Sequence, residues 1–147
     1  MPTNGTSGLD PRLRLVVVDD HDRARLALVR RLKTHVAIRV VGHTGDALES
    51  HQLVNEHAPH VVLADTNRED GMGYDLVSSL AAVPPAGRPV IVLHVAYFNP
   101  EHWEAARAAG ADDLLLKRID GEGVASALVA SVRRVMAPER WPALLHA

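Results

Sequence analysis

The chain of 147 residues contains no cysteine, which excludes a disulfide scaffold and a zinc site built from thiolates. It also lacks any apolar run long enough to span a membrane, and its first residues have no apolar segment of the kind that a secretory signal needs. Neither sign of charge dominates, because 16 basic and 18 acidic residues give a formal net charge of −2. The composition therefore indicates no nucleic-acid or membrane-surface partner, and a cytoplasmic protein is expected.

What the chain does contain is typical of one globular domain. Hydrophobic residues make up 47% of it and charged residues 23%, and its length leaves no room for a second domain of useful size. Residues 1–12 are small, polar and glycine-containing, so we expect a flexible leader there. The domain is predicted over residues 13–136, and residues 137–147 are either a C-terminal tail or a truncated linker.

The most informative stretch runs from Leu13 to Asp20, an apolar and β-branched run that ends on two adjacent carboxylates. Such a run indicates a strand buried on both faces, as in the centre of a parallel sheet. Four more apolar runs alternate with segments of helical periodicity. The further strands are predicted at 38–41, 60–64, 89–95 and 114–116, and the helices at 22–34, 46–56, 74–82, 99–110 and 121–136. This alternation predicts an α/β fold, a doubly wound parallel sheet covered by helices on both faces.

Details of the helices follow from periodicity and capping. Asp46 and Asn99 are predicted N-caps, and Asp22 is available to cap the first helix. Residues 42–45 are expected to form a loop. The apolar residues predicted to face inward in the first two helices are Leu26, Val29 and Leu32, and then Ala47, Leu48, Leu53 and Val54.

Charged residues follow three of the predicted strands at their carboxyl ends: Asp19 and Asp20 follow the first, Asp65 the third and Lys117 the fifth. In a doubly wound sheet these ends are neighbours, and ligand crevices form there. Three carboxylates in one crevice repel one another unless a cation and the lysine compensate. We expect Mg²⁺ held by Asp20, Asp65 and a nearby carbonyl, with Asp65 as a nucleophile toward a phosphoryl group and Lys117 neutralising the developing charge. Helix capping by the aspartates and a solvated lysine are the structural alternatives.

Six short motifs together resemble the receiver domain of bacterial two-component response regulators over about residues 13–135. They are Val16-Val-Val-Asp-Asp-His-Asp22, Val40-Val-Gly-His-Thr-Gly-Asp46, Val62-Leu-Ala-Asp65, Gly73-Tyr-Asp-Leu76, Pro89-Val-Ile-Val-Leu93 and Ala108-Ala-Gly-Ala-Asp-Asp-Leu-Leu-Leu-Lys117. The resemblance implies a flavodoxin-like (βα)5 three-layer sandwich with strand order 2-1-3-4-5. It also implies a signalling module rather than an enzyme.

The resemblance assigns roles to individual residues. Asp65 is similar to the phosphoacceptor, Asp19 and Asp20 to the magnesium-holding acidic pair, Asn67 to the residue that lends a backbone carbonyl, and Lys117 to the phosphate-contacting lysine. We expect Asp19 to act on Mg²⁺ mainly through water. The amino-acid sequence around the second and fifth strands is most similar to that of NarL-type receivers. The usual partner of those receivers is a DNA-binding helix-turn-helix domain, which is not expected within this chain. The implied partner is a sensor histidine kinase. A homodimer is a further expectation, as one of two routes to output beside the C-terminal tail.

Two of the positions that depart from the family pattern belong to its usual switch. His94 stands where the family usually has Thr or Ser at the end of the fourth strand, and Leu114 stands where it usually has Tyr or Phe in the fifth. These positions form the family's usual switch, so the relay from phosphorylation to the surface is altered. His94 has three open interpretations: a neutral imidazole donating to a phosphoryl oxygen, an imidazolium paired with Asp65, or a side chain turned outward.

Other function classes remain open on the residues alone. A pseudo-receiver that binds a partner or ligand without phosphorylation is favoured by His94 and Leu114. A cobalamin-binding module is suggested by Asp19-Asp20-His21 followed by Ala24, but the glycine that such a motif needs is missing. We expect His21 to be a loop residue rather than a transition-metal ligand.

Overall fold

The computed structural model describes residues 10–67 and 73–146, within which five strands alternate with five helices. The strands are β1 (Leu13–Val18), β2 (Ile38–Thr44), β3 (Val61–Ala64), β4 (Val90–Val95) and β5 (Asp113–Leu116). The helices are α1 (Asp22–Lys33), α2 (Ala47–His57), α3 (Gly73–Ala81), α4 (Pro100–Ala109) and α5 (Gly121–Val135). Residues 1–9 of the predicted leader lie outside the described residues.

All strand pairs are parallel, and the sheet order is β2-β1-β3-β4-β5, so the predicted flavodoxin-like fold and its strand order are confirmed. Successive side chains of a strand point to opposite faces, which gives the sheet two separate cores. The core under α1 and α5 contains Val17, Leu63 and Val92 of the strands. The core under α2, α3 and α4 contains Val16, Val62 and Ile91. Burying each such side chain contributes about 1.5–3 kcal/mol, and together these two layers hold the carboxyl edge of the sheet in place.

The predicted inward faces of α1 and α2 were partly wrong. Leu26 is 43% exposed and Leu48 is 71% exposed, whereas Leu28, Leu32 and Val54 are buried. Leu26 lies six residues before the buried Leu32, and Leu48 lies six residues before the buried Val54. Two residues six apart in an α-helix point about a third of a turn away from each other around the helix axis, so they do not share a face. A spacing of four, as from Leu28 to Leu32, keeps two side chains on one face.

The second strand is longer than predicted. It continues to Thr44, and Gly42 and His43 pair with Val16 and Val17 of β1 after an irregularity in the register. Gly42 fits here because a Cβ added to it would lie 3.0 Å from a methyl group of Leu53. The prediction of a loop at 42–45 was therefore wrong for residues 42–44 and right for Gly45, since a glycine needed for close packing was taken as a turn signal.

The helix caps follow the predictions at two of three places. Asp46 accepts a hydrogen bond from the Leu48 amide, and Asn99 accepts one from the His102 amide. At α1 the prediction was wrong, because the N-cap is His21, which makes no side-chain cap bond. Asp22 instead accepts a hydrogen bond from Arg25 at 2.8 Å.

Residues 137–146 pack against the amino-terminal end of the sheet. Leu145 is buried in the core under α1 and α5, and Trp141 packs beside it with its indole N–H donating to the Met136 carbonyl at 2.9 Å. The Leu144 amide donates to the Pro11 carbonyl, just before β1. Within the described residues, no helix combines the length and the apolar composition that crossing a membrane requires.

Candidate functional site

The register of the sheet brings the charged residues to one level. Val18 pairs with Ala64 and Ala64 pairs with Leu93, so Asp19, Asp65 and His94 follow directly at the same edge. The predicted meeting of the strand ends is therefore observed, and its cause is the parallel register of three adjacent strands.

Four side chains form a compact cluster at this edge. One ligand atom from each of Asp19, Asp20, His21 and Asp65 lies within 4.8 Å of the others. His21 Nδ1 is 2.9 Å from Asp19 Oδ1, 3.2 Å from Asp20 Oδ1 and 3.4 Å from Asp65 Oδ2. Asp65 is only 1% exposed, whereas the His21 side chain is 42% exposed.

Lys117 contributes the cationic side of the site. Its Nζ donates a hydrogen bond to Asp65 Oδ2 at 2.7 Å and lies 3.5 Å from Asp19 Oδ2. Burial lowers the pKa of Lys117, but its hydrogen bond and charge interaction with Asp65 outweigh burial and raise it. The interpretation as a solvated lysine was therefore wrong, because the ammonium group is bound between two strand-end carboxylates.

Charge compensation also governs the pKa values of the neighbouring groups. Burial raises the pKa of Asp19, but hydrogen bonds from the His21 amide and ring, together with Lys117, give a net lowering. The hydrogen bond to Asp19 raises the pKa of His21, and the charges of Asp19, Asp20 and Asp65 act in the same direction against desolvation by burial. The acidic cluster therefore favours the protonated form of the His21 ring.

The donor set of this cluster fits a magnesium ion. Carboxylate oxygens are the hard ligands that Mg²⁺ prefers, and three carboxylates converge here. Asn67 lies beside them, and its backbone N–H donates to Asp65 Oδ1 at 2.8 Å. Asp19, Asp20, Asp65 and the Asn67 carbonyl are the groups that would hold the ion, with the remaining positions taken by water.

His94 is buried, so the outward-facing interpretation was wrong. It is 8% exposed, and within the described part of the chain its Nε2 has no hydrogen-bond partner. Burial, assisted by the charge of Lys117, lowers the pKa of His94 to about 4. At neutral pH the imidazole is therefore uncharged, which disfavours the imidazolium interpretation. The ring lines a cavity of about 130 Å³ with Asp19 and Lys117, beside α1.

Leu114 takes the other switch position. It is partly buried and packs with Leu116 against the core under α2, α3 and α4. Its side chain has no polar edge, so contact with the core is favourable whatever the state of Asp65.

A second cavity adjoins Asp65 on the opposite side from His94. Its volume is about 190 Å³, and it is lined by Thr66, Tyr97, His102 and Lys117 among others. Thr66 Oγ1 is hydrogen-bonded to His102 Nε2 at 2.9 Å, and Tyr74 Oη to His102 Nδ1 at 2.5 Å. These bonds join the residue after Asp65 to α3 and α4.

Sequence reasoning missed the Thr66, His102 and Tyr74 contacts and the placement of His21. The three residues of the hydrogen-bonded chain come from separate segments, so no local pattern links them. His21 did carry a signal, because it directly follows Asp20 at the end of β1. A residue in that place has the sheet edge within reach of its side chain.

Comparisons with known proteins identify the family of the chain. The model of the response regulator receiver domain matches residues 15–129, and the chain therefore belongs to that family. It is 33% identical over 132 residues to the virulence sensor protein BvgS of Bordetella pertussis, covering 86% of this chain and 10% of BvgS. It is 32% identical over 130 residues to the protein named "Probable transcriptional regulatory protein NarL" of Mycobacterium tuberculosis, covering 86% of this chain and 59% of NarL.

The solved structures show the same fold. The signal receiver domain of NarL from Mycobacterium tuberculosis superposes with a TM-score of 0.74 at 25% identity, over 83% of this chain and 97% of that one. The predicted similarity to NarL-type receivers is thus confirmed. The chain spans between a tenth and about three fifths of the length of the curated relatives just described.

Proposed function

We propose that the chain is a phosphoryl-accepting receiver module of a two-component phosphorelay, with Asp65 as the acceptor and Mg²⁺ as the cofactor. One observation carries the proposal: Lys117 Nζ is 2.7 Å from the buried Asp65 carboxylate, inside a cluster that includes Asp19 and Asp20. This arrangement has a nucleophile, a cation-binding pair and a fixed positive charge in one crevice.

The chain's own residues account for the chemistry. The Asp65 carboxylate attacks the phosphorus of an incoming phosphoryl group, and its bond to the donor breaks as the new P–O bond forms. Lys117 stabilises the negative charge that develops on the phosphoryl oxygens. Neutral His94 is a further group for phosphoryl contact, because its Nε2 is buried at the same strand level without a partner among the described residues. Bound Mg²⁺ supplies charge neutralisation to the same oxygens.

The pseudo-receiver alternative is not favoured. It follows from His94 and Leu114, but neither residue disturbs the cluster of Asp65 and Lys117. Family membership supports a sensor histidine kinase as the phosphodonor and a signalling role rather than an enzymatic one. A cytoplasmic location, a homodimeric form and a role in transcription regulation belong to the same proposal, the last because the relatives include the transcriptional regulator NarL.

The experiment is incubation of the purified protein with a small-molecule phosphodonor and Mg²⁺, followed by intact mass. We expect a gain of one phosphoryl group in the wild type and none in Asp65→Asn, whose amide is nearly isosteric but cannot attack phosphorus. The matched control is Asp75→Asn, an exposed aspartate on α3. A phosphoryl gain in Asp65→Asn, or none in the wild type with either a donor or a kinase, would contradict the proposal.

Binding of Mg²⁺ is measured separately by amide chemical shifts. We expect the amides of Asp19, Asp20 and Asp65 to shift at millimolar Mg²⁺. Unshifted amides at all three residues would reject the proposed ion site.

A further inference from the structure

The position of His21 carries an inference about which metal ion the site selects. This inference rests on the proposed ion site. Most of the groups around that site are oxygen donors, but His21 adds an imidazole nitrogen to the same cluster. Its Nδ1 faces Asp19, Asp20 and Asp65 together rather than one of them alone.

The distances have the spacing of ligands around one small cation. Transition metals bind imidazole nitrogen and carboxylate oxygen at about 2.0–2.2 Å, which separates adjacent ligands by about 3.0 Å in an octahedron and about 3.4 Å in a tetrahedron. Nδ1 is 2.9, 3.2 and 3.4 Å from one oxygen of each carboxylate. The three separations therefore span the range from the octahedral to the tetrahedral ligand edge, so Nδ1 is close enough to each carboxylate to share one ion with it.

The surroundings permit this coordination without rearranging the core. The His21 side chain is 42% exposed, so an ion can reach Nδ1 from the solvent when that nitrogen carries no proton. Lys117 keeps its hydrogen bond to Asp65 Oδ2, because a carboxylate oxygen has more than one lone pair. Asp65 therefore remains both a ligand and a partner of the lysine.

We infer that His21 Nδ1 is an inner ligand when the site holds a nitrogen-binding divalent ion such as Zn²⁺ or Co²⁺, and that it increases the affinity for such ions relative to Mg²⁺. Magnesium gains nothing from an imidazole ligand and retains water instead. Zinc and cobalt gain a bond to nitrogen in addition to the carboxylate oxygens. The chemical class of the cofactor thus depends on a residue outside the acidic residues themselves.

The decisive measurement is the ¹⁵N resonance of His21 Nδ1 in the full chain, recorded by long-range ¹H–¹⁵N correlation at one fixed, mildly alkaline pH. One equivalent of Zn²⁺ is expected to move the Nδ1 resonance and leave Nε2 protonated. A structural role for His21 does not produce this signature. An unmoved Nδ1 resonance with Zn²⁺ bound would overturn the inference.

Calorimetric titrations with Zn²⁺ and Mg²⁺ give the selectivity. Since all nitrogen and oxygen sites favour zinc over magnesium to some degree, the informative quantity is the change in the Zn²⁺-over-Mg²⁺ affinity ratio on His21→Asn. We expect that ratio to fall by about tenfold or more. The matched control is His51→Asn, an imidazole on α2 away from the site, which should leave the ratio unchanged. An equal loss for both ions in His21→Asn would also overturn the inference.

Failure of this inference is distinguishable from failure of the proposed function. If Mg²⁺ shifts the Asp19, Asp20 and Asp65 amides and Asp65 gains a phosphoryl group while Nδ1 stays unmoved, only the role of His21 is rejected. If Nδ1 moves with Zn²⁺ but Asp65 gains no phosphoryl group, the phosphoacceptor proposal is rejected and the coordination by His21 stands.

Discussion

The two ends of the sheet each bury a histidine, and the two histidines differ in their hydrogen bonds. At the amino-terminal end, His60 precedes β3, and its Nδ1 accepts a hydrogen bond from the Arg14 amide at 2.9 Å. At the carboxyl end, the Nε2 of His94 has no partner among the described residues. Both rings are buried, and burial lowers the pKa of each to about 4.

The two ends also differ in how far they are covered by other residues. Residues 137–146 cover the amino-terminal end, where Arg140 donates to the Arg88 carbonyl and Leu145 enters the core. The carboxyl end is left open around Asp65 and Lys117, with cavities on both sides. A closed end with paired polar groups contributes stability, whereas an open end with charges in proximity keeps groups available for a ligand.

Acidification should produce the largest effect and should affect both ends. Because the folded pKa values of His60 and His94 lie near 4, below the usual 6.5, the unfolded chain binds more protons between these values. The two histidines should therefore make their whole contribution to the free energy of unfolding above pH 6.5. This contribution should decrease as the pH falls toward 4 and change no further below 4. The loss is about 3 kcal/mol for each histidine. Urea unfolding at a series of pH values measures it.

The control for this prediction is the double variant His60→Leu, His94→Leu. Its free energy of unfolding should depend less on pH between 6.5 and 4 than that of the wild type. A wild-type curve that is already flat over that range would show that at least one ring finds a proton-stabilising partner.

Removing a contact of the closed end should have the next largest effect. Leu145→Ala should lower the free energy of unfolding by about 2–4 kcal/mol, because it leaves a cavity in the core under α1 and α5. Leu48→Ala, at an exposed site on α2, should change it by less than about 0.5 kcal/mol. Chemical denaturation compares the two, and equal values would mean that residues 137–147 act as a linker rather than as part of the folded unit.

The single histidine variants should then separate the two ends at neutral pH. His60→Leu leaves the Arg14 amide without its Nδ1 acceptor, so a loss of about 1–3 kcal/mol is expected. His94→Leu removes a buried nitrogen that has no partner among the described residues, and stability should stay the same or increase. Urea midpoints at pH 7.5 or above give both values. A large loss in His94→Leu would reveal a partner for that ring.

The smallest effect is expected on the face formed by α4, β5 and α5. Leu114 packs favourably whether or not Asp65 carries a phosphoryl group. Its packing energy therefore differs little between the two states and cannot drive a change in the conformation of that face. Amide shifts with a beryllofluoride mimic should be small over residues 103–109 and 114–116 compared with those around Asp65. Shifts of equal size would indicate another route, and the hydrogen bonds of His102 to Thr66 and Tyr74 connect α4 to the site directly.

The order of strands and helices and the identities of the principal charged residues could be predicted from the sequence. The apolar runs that end on Asp19, Asp65 and Lys117 indicate buried parallel strands. The end of each predicted strand also places the charged residue at the edge of the sheet where ligands bind, so the same pattern predicts the strand and the site residue. Capping residues such as Asn99 act through bonds to the next turn, which makes them local as well.

What depends on distant residues was decided by the tertiary structure. Periodicity alone did not distinguish Leu28 from Leu26 as the buried residue, because the choice depends on how α1 is rotated against the sheet. Likewise, burial of His94, convergence of His21 on three carboxylates and packing of Leu145 beneath the sheet all depend on segments far apart in the chain. A pattern in sequence sets which side of an element is apolar, but the depth and the partners of a polar side chain are set only when the layers pack.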